Sequence, residues 1–74
     1  MTKRRNPNLF DLIAVLNPPA DSDLQTGDVG TVVELLAPDG VEAEFLDKDG
    51  HTRCVATLTF SDVLVLNRER TRVA

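Results

Sequence analysis

Residues 27–36 read Gly-Asp-Val-Gly-Thr-Val-Val-Glu-Leu-Leu, and this stretch decides the fold of the 74-residue chain. Gly27 and Gly30 stand three apart at the start of a β-branched run. That pattern is typical of backbone that turns sharply and then enters a buried strand, because glycine supplies a positive φ or room for a close approach while Val and Thr fit the pleat. We therefore expect a strand that ends at Leu36, with the other elements arranged around it.

One strand and a long loop are predicted before this stretch. Residues 11–16 form a short apolar run that Asn-Pro-Pro at 17–19 stops, so we interpret them as the first strand, with a short helix as the competing interpretation. Residues 17–28 are rich in turn-forming and acidic residues. We expect Leu24, the one large apolar residue of this loop, to pin it onto the rest of the fold.

The chain after residue 36 predicts a turn and an alternating strand. Pro38 presets the φ of the turn, and Gly40 is expected to take its left-handed position. Residues 41–45 then alternate between apolar and acidic side chains, which is typical of a strand with one buried face. Its inward set is Val41, Ala43 and Phe45, and its outward set is Glu42 and Glu44.

A hairpin and a closing strand complete the predicted sheet. Asp-Lys-Asp-Gly at 47–50 predicts a type I turn with a glycine bulge. The strand at 51–59 has two possible registers, and we favour the one that leaves Arg53 in water and points Cys54, Ala56 and Leu58 inward. Residues 60–62 predict a single turn and residues 63–66 a last apolar strand. The fold class is therefore all-β: a small five-stranded SH3-like barrel, which fits this length better than an OB-fold.

Charge divides the chain into three parts. The net charge is −4 at pH 7, but residues 6–67 hold eleven acidic and two basic residues, for −9, while residues 1–5 carry +3 and residues 68–74 carry +2. We predict one SH3-like domain over residues 9–67, preceded by a disordered basic tail over residues 1–8 and followed by a basic tail over residues 68–74.

An ordered series of motifs resembles a known family. The motifs lie at residues 10–15, 26–34, 41–45, 49–50 and 64–66. Over about residues 10–66 the chain resembles a small bacterial family known as domain of unknown function four-nine-two-six. The resemblance implies a compact β-barrel in a bacterial cytoplasm with no assigned catalytic residues, and some members of such families look like antitoxin or immunity partners of a neighbouring gene's product.

A second likeness rests on one strand alone. Residues 27–34 are similar to the KOW motif of ribosome-associated and transcription factors, and to small barrels that sit on electron-transfer complexes. These are fold-level analogies, so they imply a fold and leave function open.

Side chains suited to chemistry are few. His51 and Cys54 are the single residues of their types, and their spacing on a strand points them to opposite faces, which opposes both a zinc site and a Cys–His pair. A calcium loop starting at residue 47 would place its last ligand at Leu58, an apolar residue. Acidic residues 21, 23 and 28 could gather a cation, although a solvated loop is the favoured interpretation. We expect no catalytic residue, no cofactor and no metal site.

The same inventory separates classes of binding module. The chain has no Tyr or Trp for a proline-rich ligand groove. Its three phenylalanines, Phe10, Phe45 and Phe60, stand where a core needs them, so no platform is expected for stacking bases. The lone cysteine, the lack of an apolar segment near the N-terminus and the lack of a run of about 20 apolar residues predict a cytoplasmic protein that does not enter a membrane.

Our hypothesis is a non-enzymatic interaction module that binds a basic partner protein, such as a toxin or a larger enzyme subunit, through an acidic sheet face. The predicted partner-binding residues are Glu42, Glu44, Asp47, Asp49 and Arg53. The alternative is a KOW-like nucleic-acid-associated barrel that acts through its basic tails, because the acidic body repels phosphate. A homo-oligomer that buries a strand edge is a third possibility.

Overall fold

The computed structural model describes residues 5–66 of the chain. These residues form five strands and one short 3₁₀ turn. The elements are β1 (Leu12–Val15), β2 (Val29–Leu36), β3 (Gly40–Leu46), β4 (Thr52–Thr59), the 3₁₀ turn (Phe60–Asp62) and β5 (Val63–Val65).

All five strands belong to one antiparallel sheet in the order β4-β3-β2-β1-β5. The all-β prediction is confirmed, and the helical interpretation of residues 11–16 is wrong because Leu12–Val15 pairs with both β2 and β5. β4 and β5 lie at the two ends of this order. Closure of the sheet into an SH3-like barrel stays a prediction.

The core is built from alternate residues of the strands. Val41, Ala43 and Phe45 are buried on β3 as predicted, and Leu58 is buried on β4 with Cys54 and Ala56 packed against the core. The favoured register of β4 is therefore confirmed. The buried set is completed by Ile13, Val15, Leu24, Val32 and Val63. Leu24 shows that the loop before β2 is pinned to the core by its one large apolar side chain.

The two glycines at the start of β2 have different roles. Gly27 has a φ of 96°, so it supplies the left-handed turn into the strand. Gly30 pairs with Phe45, and a Cβ built on Gly30 would lie 2.7 Å from Cε2 of the Phe45 ring. The Phe45 ring therefore occupies the space in which any other residue at position 30 would place its side chain. Both predicted uses of glycine are present in one stretch.

The turn between β2 and β3 differs from the prediction. The Ala37–Pro38 peptide is cis, and Gly40 does not have a positive φ. Gly40 is instead the first residue of β3, where it pairs with Leu36 on one side and Thr59 on the other. The predicted left-handed conformation of Gly40 is wrong because pairing on both sides holds its backbone extended. Gly50 in the next turn does have a positive φ of 86°, as the predicted bulge needs.

Packing begins before the predicted domain boundary at residue 9. Pro7 is buried, and the backbone N–H of Asn8 donates a hydrogen bond of 2.8 Å to the Asp11 carboxylate. The remainder of the predicted tails, residues 1–4 and 68–74, lies outside the described residues, as does Asn67.

Candidate protein-interaction surface

Three glutamates share the outer surface of the sheet. Glu42 and Glu44 alternate with the buried side chains of β3, so both point away from the core, and both are half-buried by their neighbours. Glu34 of β2 is directly opposite Glu42 in the register of the two strands. We refer to Glu34, Glu42 and Glu44 as the acidic face.

A β-bulge brings Glu34 into this position. Val32 pairs with Ala43, and the next pair joins Glu34 to Glu42, so Val33 is an extra residue in β2. In a regular ladder Val33 would stand opposite Glu42, and Glu34 would be one residue further along the strand. The sequence prediction missed Glu34 for this reason. The one available signal was the broken alternation Val-Val-Glu at residues 32–34.

The charges of the acidic face lack compensation within residues 5–66. Glu34 and Glu42 have no hydrogen-bond or ion-pair partner among these residues, whereas Glu44 accepts a hydrogen bond from the Thr52 hydroxyl. Like charges directly opposite each other on an antiparallel pair are destabilising. Considered within residues 5–66, the Glu34–Glu42 pair is therefore an unfavourable feature of the sheet.

Asp47 and Asp49 belong to the turn beside this face. The Asp47 carboxylate accepts hydrogen bonds from the backbone N–H groups of Asp49, at 2.8 Å, and His51, at 3.0 Å. Asp47 thus stabilises the turn that joins β3 to β4, which is the usual role of Asp in a turn. Asp49 is exposed at its tip. Of the predicted partner-binding acids, these two lie at the end of the sheet and Glu42 and Glu44 lie on its outer face.

Arg53 is bound within the chain. Its guanidinium lies 3.0 Å from the Asp23 carboxylate and 3.6 Å from that of Asp28, and it also donates to the Asp23 carbonyl at 3.1 Å. The Asp23 charge raises the pKa of Arg53 above its usual value. The favoured interpretation of acidic residues 21, 23 and 28 was a solvated loop, but two of them, Asp23 and Asp28, pair with this guanidinium. Arg53 joins β4 to the long loop and does not neutralise the acidic face.

This ion-pair cluster predicts a local change when Arg53 is replaced. In Arg53→Gln we expect the amide hydrogens of Leu24 and Gln25 to exchange faster by about two- to fivefold, the range for an exposed ion pair, because the loop loses its link to β4. The Ala43 amide should be unaffected. Hydrogen exchange measured by NMR tests this, with Lys48→Gln as a control that removes a charge outside the cluster. Equal loop exchange in the two variants would contradict it.

Within residues 5–66, the side chains that could bind a metal ion are not brought together. His51 is exposed and Cys54 is half-buried against the core, and residues 5–66 contain no group of three metal-ligating side chains. No helix within the described part of the chain is both long and apolar enough to cross a membrane. Within residues 5–66, the acidic face is the place where two carboxylates without an ion pair stand directly opposite each other on paired strands.

The fold and this surface define a small antiparallel all-β domain with an acidic outer face. Comparison with protein families is in agreement with the motif series: the family model described as a domain of unknown function (DUF4926) matches residues 9–65, and the chain belongs to that family. No curated protein and no solved structure matches the chain.

Proposed function

We propose that this protein is a non-enzymatic interaction module that binds a basic surface of a partner protein through the acidic face, as an antitoxin-type protein or an accessory subunit does. The observation that carries the proposal is the placement of Glu34 directly opposite Glu42 without a cation among residues 5–66 to pair with either. A Lys or Arg of a partner placed between the two carboxylates would convert repulsion into two charge-assisted contacts.

The wider charge distribution supports a basic partner. Residues 5–66 hold eleven acidic side chains and only Arg5, Lys48 and Arg53 as cations. A field of this sign accelerates encounter with a positively charged protein and opposes approach of a nucleic-acid backbone. Features that destabilise a sheet are found most often at functional sites, where binding or catalysis requires them. Two opposed glutamates beside a β-bulge are a feature of this kind.

Co-purification from the native cell under two salt conditions tests the proposal. We expect one stoichiometric basic protein with the tagged chain at about 0.05 M salt and its loss at about 0.5 M, because screening weakens exposed charge pairs. A Glu34→Gln/Glu42→Gln variant should fail to retain it, whereas Asp21→Asn, which removes a charge from the loop, should retain it. Absence of a stoichiometric protein at low salt, or equal recovery by all three proteins, would overturn the proposal. Recovery of nucleic acid in place of protein would support the KOW-like alternative.

Charge reversal at Glu42 should have opposite effects on stability and on binding. In Glu42→Lys the cross-strand pair with Glu34 changes from like to opposite charges, and we expect the free energy of unfolding to rise by about 0.2–1 kcal/mol. Urea unfolding followed by circular dichroism measures this, with Asp21→Lys as a control for total charge. The same variant should lose the partner. A fall in stability would show that Glu42 is required by the fold itself.

A further inference from the structure

Phe10 is an exposed aromatic residue on a fixed turn. The turn runs from Asn8 to Asp11 and is closed by two hydrogen bonds, from Asp11 N–H to the Asn8 carbonyl at 3.1 Å and from Asn8 N–H to the Asp11 carboxylate at 2.8 Å. Pro7, just before it, is buried. The Phe10 side chain is 67% exposed, although all three phenylalanines were predicted to lie in the core. That prediction is wrong for Phe10, because its turn holds it outside the alternation of β1.

The backbone of Phe10 is unusual for its residue type. Phe10 has a φ of 68°, and within residues 5–66 it is the one residue other than glycine with a positive φ. The third position of such a turn is normally Gly or Asn, because a bulky side chain is unfavourable in the left-handed region. A residue keeps such an unfavourable backbone conformation only where the surrounding structure enforces it, and residues of this kind are common at ligand-binding sites. Exposure of the ring means that burial within the chain does not offset this conformation.

Two irregularities of the sheet meet beside Phe10. Its N–H donates to the Val32 carbonyl at 2.8 Å, and Val32 N–H donates to the Asp11 carbonyl at 2.9 Å, so Phe10 and Asp11 together face one residue of β2. On its other side, Val32 precedes the bulged Val33, which is exposed and is followed by Glu34. The turn therefore places Phe10 beside Val32, two residues before Glu34 of the acidic face.

We propose that Phe10 is the apolar anchor of the partner interface, and that it fills an apolar pocket on the partner whose rim carries the Lys or Arg side chains bound by Glu34 and Glu42. This inference rests on the proposed function and names the partner surface that fits it. Exposed aromatic side chains on rigid elements are typical anchors of interfaces, surrounded by weaker polar contacts. The charge beside the ring selects a basic partner and opposes a second copy of this acidic chain.

The stability of the protein without its partner distinguishes an interface anchor from a phenylalanine that the fold itself requires. We expect Phe10→Gly to leave the midpoint of thermal unfolding within about 3 °C of the wild-type value, since relief of the left-handed conformation offsets the added freedom of glycine in the unfolded chain. Phe10→Asn, which also tolerates this conformation, is the second variant. A fall of about 10 °C or more in both would assign Phe10 to the fold and overturn the proposal.

Photo-crosslinking tests the contact itself. The probe is p-benzoylphenylalanine, placed at position 10 in the chain expressed in its native cell, with the same residue at position 64 as the control. Leu64 is an exposed apolar residue of β5, 38% accessible, and β1 separates β5 from the two strands that carry the acidic face. We expect one discrete adduct from position 10, whose crosslinked residues lie in an apolar pocket bordered by Lys or Arg, and a much weaker one from position 64.

The purified pair then gives the affinity. Phe10→Gly should weaken binding of the crosslinked protein by about 30-fold or more, as expected for an interface anchor, and Leu64→Ser by less than about threefold. No adduct at position 10, equal adducts at both positions, or an adduct with a second copy would overturn the proposal. A salt-sensitive complex that Phe10→Gly leaves unchanged would overturn the anchor alone. An adduct from position 10 in a complex insensitive to salt and to Glu34→Gln/Glu42→Gln would keep the anchor and overturn the acidic-face function.

Discussion

Replacing Phe45 by alanine is expected to remove about 3–5 kcal/mol from the free energy of unfolding, the usual loss for a buried phenylalanine. Phe45 is 1% exposed and has the largest side chain among the fully buried residues. A domain of 74 residues has a total stability of roughly 4–11 kcal/mol. The substitution should therefore leave the chain largely unfolded or close to it at physiological temperature.

The measurement is urea or thermal unfolding followed by far-ultraviolet circular dichroism, because the chain has no Trp or Tyr to serve as a fluorescent reporter. Leu46→Ala is the control from the next position of β3, where the side chain is largely exposed, and it should change stability by less than about 0.5 kcal/mol. A loss below about 1.5 kcal/mol in Phe45→Ala would show that the core collapses around the vacated space.

Strand positions were predictable because their signals are local. The alternation over residues 41–45 has a period of two, and the hairpin at 47–50 combines turn-forming residues with a glycine that takes a positive φ. Gly27 and Gly30 likewise indicated a turn and a close approach, although the sequence did not identify Phe45 as the residue that approaches Gly30. The signals for these strands and turns come from neighbouring residues of the chain, whereas the ring that approaches Gly30 belongs to the next strand.

The acidic face was predictable only in part. Glu42 and Glu44 follow from the alternation of β3, but Glu34 reaches Glu42 through a bulge at Val33, which a pattern of alternating residues does not reveal. Arg53 was expected among the partner-binding residues, yet its ion pairs with Asp23 and Asp28 join distant parts of the chain. Long-range pairs of this kind depend on how the loop folds back, which local patterns leave open.

Phe10 shows why residue type alone misleads about burial. An aromatic residue beside an apolar run is normally a core residue, and burial is the favourable outcome for its ring. The turn at Asn8–Asp11 instead places it outside the sheet's alternation. Within residues 5–66, the exposed ring and the opposed glutamates are both unfavourable, and both are close to one segment: Phe10 bonds to the backbone of Val32, and Glu34 follows Val33. This coincidence is what a single partner-binding surface predicts.

Replacing Gly30 by alanine should destabilise the protein through the same ring. The added Cβ would lie 2.7, 2.9 and 2.9 Å from three atoms of the Phe45 ring, closer than such contacts occur. Because the ring is enclosed by the core, it has little room to move, and overpacking of this kind costs about 1–3 kcal/mol. Gly40→Ala is the matched control: its Cβ meets neighbours at 3.5 Å, an ordinary contact, and Gly40 has no positive φ.

A double-mutant cycle assigns the effect to the Gly30–Phe45 contact. Phe45→Leu alone leaves space above Gly30, and the added methyl of Gly30→Ala should occupy part of that space. We therefore expect Gly30→Ala to be less damaging in the Phe45→Leu background than in the wild type, with a coupling energy of about 0.5–3 kcal/mol. Unfolding of the four proteins in urea supplies the values. If the two losses simply add, the cost at Gly30 arises from its backbone and not from the ring packed against it.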